Sequence, residues 1–430
     1  MRVRLEYGRK GLEAELPDEN VIGVLKLTPA PPLPDPAAAV RAALDSPIRT
    51  PPLSALARHR KDACVVICDI TRPVPNPILL PPILDALESG GIPRERVTIL
   101  IATGTHRPNL GAELEAMLGA EIAASVRVVN HVCDDPSAHR ALGVSPNGVP
   151  VLLDRTYCDA DLKITVGLIE PHFMAGYSGG RKLIMPGIAA LETVQAWHSP
   201  RFLEHPNATN GCVDGNPVHE EALAIAKMAP PDMIVDVTLD EQNRITGIFA
   251  GELEAAWRAG VAFADRHARA GLKEPADIVV TTCAGHPLDA TFYQAVKGMV
   301  GALPIVKPGG SIIIASECAE GVGSAIFKQT LLEWDSLPAF VSAIQSPDWK
   351  FIPDQWEVEE LARAARDNRI YCVSEGIPAD LLGQLFVTPA VSVEAAVADA
   401  LQYHGPDATI AVIPKGPYVI PYVENGDAIR

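Results

Sequence analysis

A chain of 430 residues has room for two to three domains of about 150 residues each. Its 48% hydrophobic and 21% charged content is that of an ordinary globular protein and excludes a disordered chain. The formal net charge of −17, with no long Lys/Arg run to offset it, excludes a general nucleic-acid role.

The N-terminal stretch M-R-V-R-L-E-Y-G-R-K-G-L-E-A-E-L alternates apolar and charged residues around a glycine and reads as a surface hairpin without the apolar core of a signal peptide. A Pro-rich connection, 28–36, leads to a short helix over 37–44 and a turn-like stretch, 46–53. The chain then settles into a repeated order of apolar run, polar motif and helix, the pattern of an α/β sheet with crossover helices. The run 64–68 ends in D-I-T-R-P-V-P, with a helix near 78–88, and the run 97–102 ends in T-G-T-H-R-P, with a helix near 110–118. A further run, 126–129, leads to Asn130 and His131, and the run 162–169 delivers E-P-H-F-M-A-G-Y-S-G-G-R-K-L-I-M-P-G. Helices are expected over 190–197, ending at His198, over 218–228 and over 251–270, with a strand at 233–239. From Asp277 a second α/β cycle begins: strand 278–281, helix near 290–299, a K-P-G-G turn and strand 311–315. Helices around 331–343, 358–365 and 393–403, and strand-like runs at 372–373, 385–387 and 410–413, complete it.

The fold class is therefore α/β: two domains, each with a mainly parallel sheet and crossover helices, and an active site in the cleft between them. The expected division is 1–275 for a catalytic and cofactor-binding domain and 276–415 for a smaller domain that completes the substrate site, with the tail 416–430 free to pack back on the first. The eight cysteines are dispersed, with no C-x-x-C, as in reduced thiols of a cytoplasmic protein. No run approaches about 18 uninterrupted apolar residues, so a membrane span is not expected.

Three strands end in polar motifs, and parallel pairing gathers such motifs at one edge, where ligands of open α/β sheets bind. D-I-T-R-P supplies Asp69, Thr71 and Arg72, whose planar fork suits a carboxylate or phosphate; an Asp cap or a structural ion pair is the plainer reading. T-G-T-H-R-P presents His106, and the third strand end presents His172. Two histidines suit a reaction that moves protons on two faces of one carbon or its hydroxyl, which brings isomerisation or racemisation into consideration. His106, His172 and His198 lack the close spacing of common zinc motifs. The segment G-Y-S-G-G-R-K fails as a P-loop, because Arg181 replaces the glycine before the lysine and Leu183 the Ser/Thr after it, although Gly179 and Gly180 can still offer backbone N–H groups to an anion. Lys182 then reads as a nucleophile or attachment point, or as a solvated lysine. On the predicted helix near 290–299, Tyr293, Gln294 and Lys297 stand at i, i+1 and i+4 and can point at one small acidic ligand. Y-x-x-x-K is also the spacing of short-chain dehydrogenases, but T-T-C-A-G-H-P is no dinucleotide fingerprint.

These motifs together resemble the nickel-pincer-dependent lactate racemase family: D-I-T-R-P at Asp69, T-G-T-H-R-P at Thr103, the long motif from Glu170, a histidine at His198 and Y-Q-A-V-K-G at Tyr293. The resemblance implies a racemase or epimerase of a 2-hydroxy acid. By that resemblance Lys182 binds the pincer nucleotide, a pyridinium mononucleotide with two sulfur-bearing groups, through a thioamide link, and His198 ligates its nickel. His106 and His172 match the two acid/base residues, and Arg72, Tyr293, Gln294 and Lys297 match the groups that hold the substrate carboxylate. Asp69, Thr71, Gly179 and Gly180 fall in the cofactor region, and Trp356 matches a tryptophan near the active site. The implied partners are a small-molecule 2-hydroxy acid and the cofactor-synthesis proteins that load the enzyme, with neither nucleic acid nor membrane; the oligomeric state stays open. An NAD(P)-dependent oxidoreductase built on Tyr293 and Lys297, and a non-enzymatic phosphate- or carboxylate-binding protein, are the alternatives.

Overall fold

A computed structural model describes residues 1–346 and 348–424. The first of two six-stranded sheets has the order Ile245–Gly251, Met233–Leu239, Leu162–Leu168, Ala63–Cys68, Val97–Ala102 and Arg127–Asn130. All its pairs are parallel except the edge pair, where Ile245–Gly251 runs antiparallel to Met233–Leu239. The inner strands are apolar on both faces, as a sheet covered on both sides requires. From Ala63–Cys68 the chain first builds outward in one direction, then returns to place Leu162–Leu168 on the other flank. That reversal opens a crevice beyond the carboxyl ends of these two strands; Asp69 follows the first directly, and Glu170 comes after Ile169 at the end of the second.

The second sheet is wholly parallel, in the order Thr388–Ala390, Arg369–Val373, Val306–Ala315, Ala276–Thr282, Ile410–Ile413 and Val21–Val24. Its last strand departs from the expected division of the chain, because Val21–Val24 comes from the N-terminus. The N-terminal hairpin, Arg2–Leu5 paired with Leu12–Glu15, also joins the second domain: Val3, Leu5, Tyr7 and Leu16 share a core with Ile278, Val280, Ile313, Tyr371 and Val397. Residues 1–24 thus belong with the second sheet, not with the first as the sequence suggested. The described part of the tail, Ile420–Val423, pairs in parallel with Arg269–Leu272; residues 425–430 lie outside the described residues.

One local reading changes as well, and two local elements went unread. K-P-G-G is not a turn between elements but part of the ten-residue strand Val306–Ala315, where the register slips against Ala276–Ile278 and Gly309 takes φ +78°. The edge strand Ile245–Gly251 and the hairpin His139–Val144/Pro150–Asp154 had no strong apolar alternation to mark them. One hydrophobic cluster runs across both domains, joining Phe173, Tyr177, Trp197 and Trp257 to Phe292, Val296, Phe327 and Trp356.

Candidate active site

The turn-rich segment after Leu162–Leu168 is fixed from beneath. Gly180 N–H donates to Asp236 Oδ2 at 2.8 Å, and a side chain on Gly180 would strike the Trp257 ring. Arg181 is buried beneath the segment: its Nη2 donates to Ala175 O at 2.8 Å, its guanidinium lies 4.3 Å from the Trp257 ring centroid, and Trp257 Nε1 donates to Ser178 O at 2.8 Å. Burial pushes Arg181 down to about 9 and Asp236 up to about 7, each opposed by the charge of the other. Arg181 and Asp236 therefore shape the segment from inside, while His172, Gly179 and Lys182 face the crevice.

That crevice is a cavity of about 180 Å³ lined from both domains. From the first come Asp69, Thr71, Arg72, His106, His172, Gly179, Lys182 and His198; from the second, Tyr293, Lys297, Trp356 and Glu357. His106 Nδ1 is 2.8 Å from Asp69 Oδ2, and Asp69 Oδ1 accepts from Thr71 Oγ1 at 2.6 Å. Burial alone would raise the Asp69 carboxyl, but the bonds from His106 and Thr71 and the charge of Arg72 outweigh it and hold it below its ordinary value. An ionised Asp69 fixes the proton on His106 Nδ1 and leaves Nε2 as an acceptor on a half-exposed ring. Arg72 Nε lies 3.4 Å from Glu170 Oε1, which orients the guanidinium at the cavity wall.

His172 Nε2 is 3.1 Å from Lys182 Nζ, and His172 Nδ1 accepts from the backbone N–H of Met174 and Ala175 at 3.4 and 3.3 Å. Burial, then the positive charges of Lys182, Lys297 and Arg72, hold His172 well below its ordinary value. Lys182 is likewise held far down, by burial first and then by Arg181, Arg72 and Lys297. Both shifts favour the uncharged form, and only an uncharged amine is a nucleophile. His198 caps the C-terminus of helix Leu191–Trp197 and lies between two indoles, 4.4 Å from the ring of Trp197 and 4.6 Å from that of Trp356. Burial and the nearby Lys182 lower it to about 3, and its buried Nδ1 has no hydrogen-bond partner among the described residues. An unprotonated, orphaned ring nitrogen has the chemistry of a metal ligand. Among the described residues no group of three or more His, Cys, Asp or Glu gathers to hold a metal unaided, so a metal on His198 needs ligands from another molecule.

Helix Phe292–Ala302 brings Tyr293 and Lys297 to the cavity on one face, with Trp356 Nε1 donating to Tyr293 Oη at 2.8 Å and Lys297 Nζ 5.5 Å from the Phe173 ring centroid. Gln294 and Gly180 do not line the cavity, although the sequence grouped them with the site. Gln294 leaves the Tyr293–Lys297 face by its i+1 position, and its Oε1 is buried without a partner. Glu357 and Asp236 were missed because W-E-V-E-E and M-I-V-D-V carry no motif; a charged residue inside an apolar strand was the one available signal for Asp236.

Models of the lactate racemase N-terminal domain and the lactate racemase C-terminal domain match residues 7–211 and 272–421. The chain is 36% identical to the lactate racemase of Lactiplantibacillus plantarum over 428 residues, covering 97% of this chain and 99% of that one. It is 35% identical to the lactate racemase of Thermoanaerobacterium thermosaccharolyticum over 421 residues, covering 97% and 98%. The chain belongs to the lactate racemase family. The solved lactate racemase apoprotein of T. thermosaccharolyticum superposes with a TM-score of 0.92 at 34% identity, over 98% of this chain and all of that one, so the two-domain α/β architecture is that of the family. A Thermotoga maritima protein shares the fold with a TM-score of 0.69 at 18% identity, over 91% of this chain and 99% of that one. Membership makes the chain an isomerase of the racemase class, and the dehydrogenase spacing of Tyr293 and Lys297 becomes incidental. No described helix is long and apolar enough to cross a membrane.

Proposed function

We propose that the chain interconverts the enantiomers of a small 2-hydroxy acid of the lactate type, using a nickel-pincer nucleotide joined to Lys182 and ligated by His198. One observation carries the proposal: two histidines, on loops from different strands, share a cavity with Lys182, whose amine burial holds far below its ordinary pKa, and with His198, whose Nδ1 has no hydrogen-bond partner among the described residues. The residues fit the group, because His198 Nδ1 has no hydrogen-bond partner among the described residues and burial favours the uncharged form of the Lys182 amine. When bound, the cofactor supplies an electrophilic ring position that accepts and returns a hydride.

The chain's own residues do the rest. Arg72 and Lys297 hold the substrate carboxylate by charge and fix the reacting carbon, a positioning effect. His106 Nε2, held by Asp69, takes the hydroxyl proton as one enantiomer becomes the ketoacid and returns it in the reverse step. His172 does the same for the enantiomer that presents its hydroxyl to the other wall, since one imidazole cannot reach both. Trp197, Trp356 and Phe173 keep water from the reacting atoms.

Intact-mass measurement of protein co-produced with the cofactor-synthesis enzymes is expected to reveal a covalent adduct that Lys182→Ala lacks, together with nickel and loss of optical purity from L-lactate. Absence of adduct and nickel under those conditions excludes the cofactor. An adduct without action on any 2-hydroxy acid excludes the substrate class.

A further inference from the structure

Glu357 has no part in the scheme above, yet it stands in the wall of the same cavity. It lies in the first turn of helix Gln355–Ala365, directly after Trp356, and is 1% exposed. Among the described residues its buried Oε1 has no hydrogen-bond partner, and no ion pair within 4 Å joins it to a cation. A carboxyl group so placed needs either a proton or a nearby positive charge. The cation facing it is Lys297, brought by helix Phe292–Ala302. That helix also brings the Tyr293 hydroxyl, Cys283 faces the pair from beyond strand Ala276–Thr282, and Asp354 and Glu360 flank Glu357 on its own helix and cap. Arg72 and Glu170 reach Lys297 from the first domain.

Burial pushes Glu357 up to about 8 and Lys297 down, and each opposes the shift of the other more than any other neighbour does. Written as carboxylate and ammonium or as carboxylic acid and amine, the pair with one proton carries no net charge, the form that a dry cavity favours. A substrate carboxylate beside Lys297 adds a negative charge where water is scarce. It requires the ammonium form of Lys297 and at the same time repels an ionised Glu357.

We infer that Glu357 is a positioning residue of the carboxylate site: together with Lys297 it holds one proton in the free cavity, and the pair takes a second from solvent when a 2-hydroxy acid anion binds. The charges then balance, one anion entering with one proton. The inference rests on the reading that Lys297 holds the substrate carboxylate.

Calorimetric titration of the loaded enzyme with racemic lactate, in two buffers of different ionisation enthalpy at pH 8, counts the protons taken up. Racemic ligand removes any net heat of racemisation. Wild type is expected to take up close to one proton, and so to lose affinity about tenfold per pH unit around pH 8, where the free pair holds one proton and the complex two. Lys297→Arg keeps a permanent charge, so the uptake it retains must fall on the carboxyl. The double variant Lys297→Arg, Glu357→Gln is expected to bind lactate with no uptake and a flat pH dependence. Lactate bound by wild type without uptake, or uptake that survives in the double variant, overturns the inference. The reading beneath it fails in a different way, when wild type does not bind lactate or Lys297→Ala binds it equally well.

Discussion

At the scale of single residues the decisive feature is how few side-chain contacts set the protonation of the cavity. Asp69 stays ionised because two hydrogen bonds and Arg72 outweigh its burial, and it presents His106 with one tautomer. Asp69→Asn preserves the shape and removes the charge that enforces this tautomer. We expect kcat of the loaded enzyme for lactate to fall by about 10²–10⁴, with KM within a few fold and the adduct mass unchanged. A kcat within tenfold of wild type would assign Asp69 to structure alone. His106, His172, Arg72 and Lys182 could be picked out in the sequence because each sits in a polar motif that follows an apolar strand. Glu357 was not, because W-E-V-E-E reads as a solvated helix face until the packing of helix Gln355–Ala365 against helix Phe292–Ala302 buries it.

At the scale of elements, the segment 170–187 works as a rigid platform. His172 pairs with Gly176 across a two-residue ladder, Gly211 N–H donates to Gly176 O at 3.1 Å, and Asn216 Nδ2 ties Met174 O and Cys212 O at 3.0 Å each. Gly176 adopts φ +73°, and a Cβ there would lie 2.0 Å from the Cys212 carbonyl oxygen, a backbone atom that these bonds hold in place. Gly176→Ala is expected to lower stability by on the order of 3 kcal/mol or more in urea unfolding. Gly111→Ala, at φ +59° with nothing within 4 Å, carries only the cost of a side chain at positive φ, about 1–2 kcal/mol. Equal losses would mean that the close approach to Cys212 is relaxed in solution. The buried parallel strands could be read from their apolar runs and following helices, and the spans 162–168 and 233–239 fall close to expectation. The pairing of Val21–Val24 with Ile410–Ile413 could not, because partners nearly 400 residues apart leave no mark in local periodicity.

At the scale of the whole molecule, helix Gln355–Ala365 fastens the second domain to the first. Trp356 stacks on His198, Arg363 Nη1 donates to Ala208 O at 2.6 Å, and Arg366 Nη2 meets Glu204 Oε2 at 2.5 Å. The same contact buries Glu359 and Glu360, whose carboxyl oxygens have no hydrogen-bond partners among the described residues. Burial, with the repulsion of neighbouring carboxylates, raises Glu359 to about 9 and Glu360 to about 7, and the nearby arginines only partly offset it. The unfolded chain loses these protons near 4.5, while the folded chain keeps them until about 7 and 9. Between those limits the unfolded state binds fewer protons, so these groups make stability fall as pH rises from about 4.5, and above about 9 they add no further loss. Glu357, raised to about 8, adds to the same trend over the lower part of that window. Glu359→Gln cannot ionise, so its stability relative to wild type is expected to be constant below pH 4.5, to grow steadily up to pH 9 and then to level off. Urea unfolding midpoints of both proteins at pH 4, 6, 8 and 9.5 measure that difference. A difference that does not change with pH would mean that Glu359 reaches water, and that the two domains are not held together in solution by the contact that buries it.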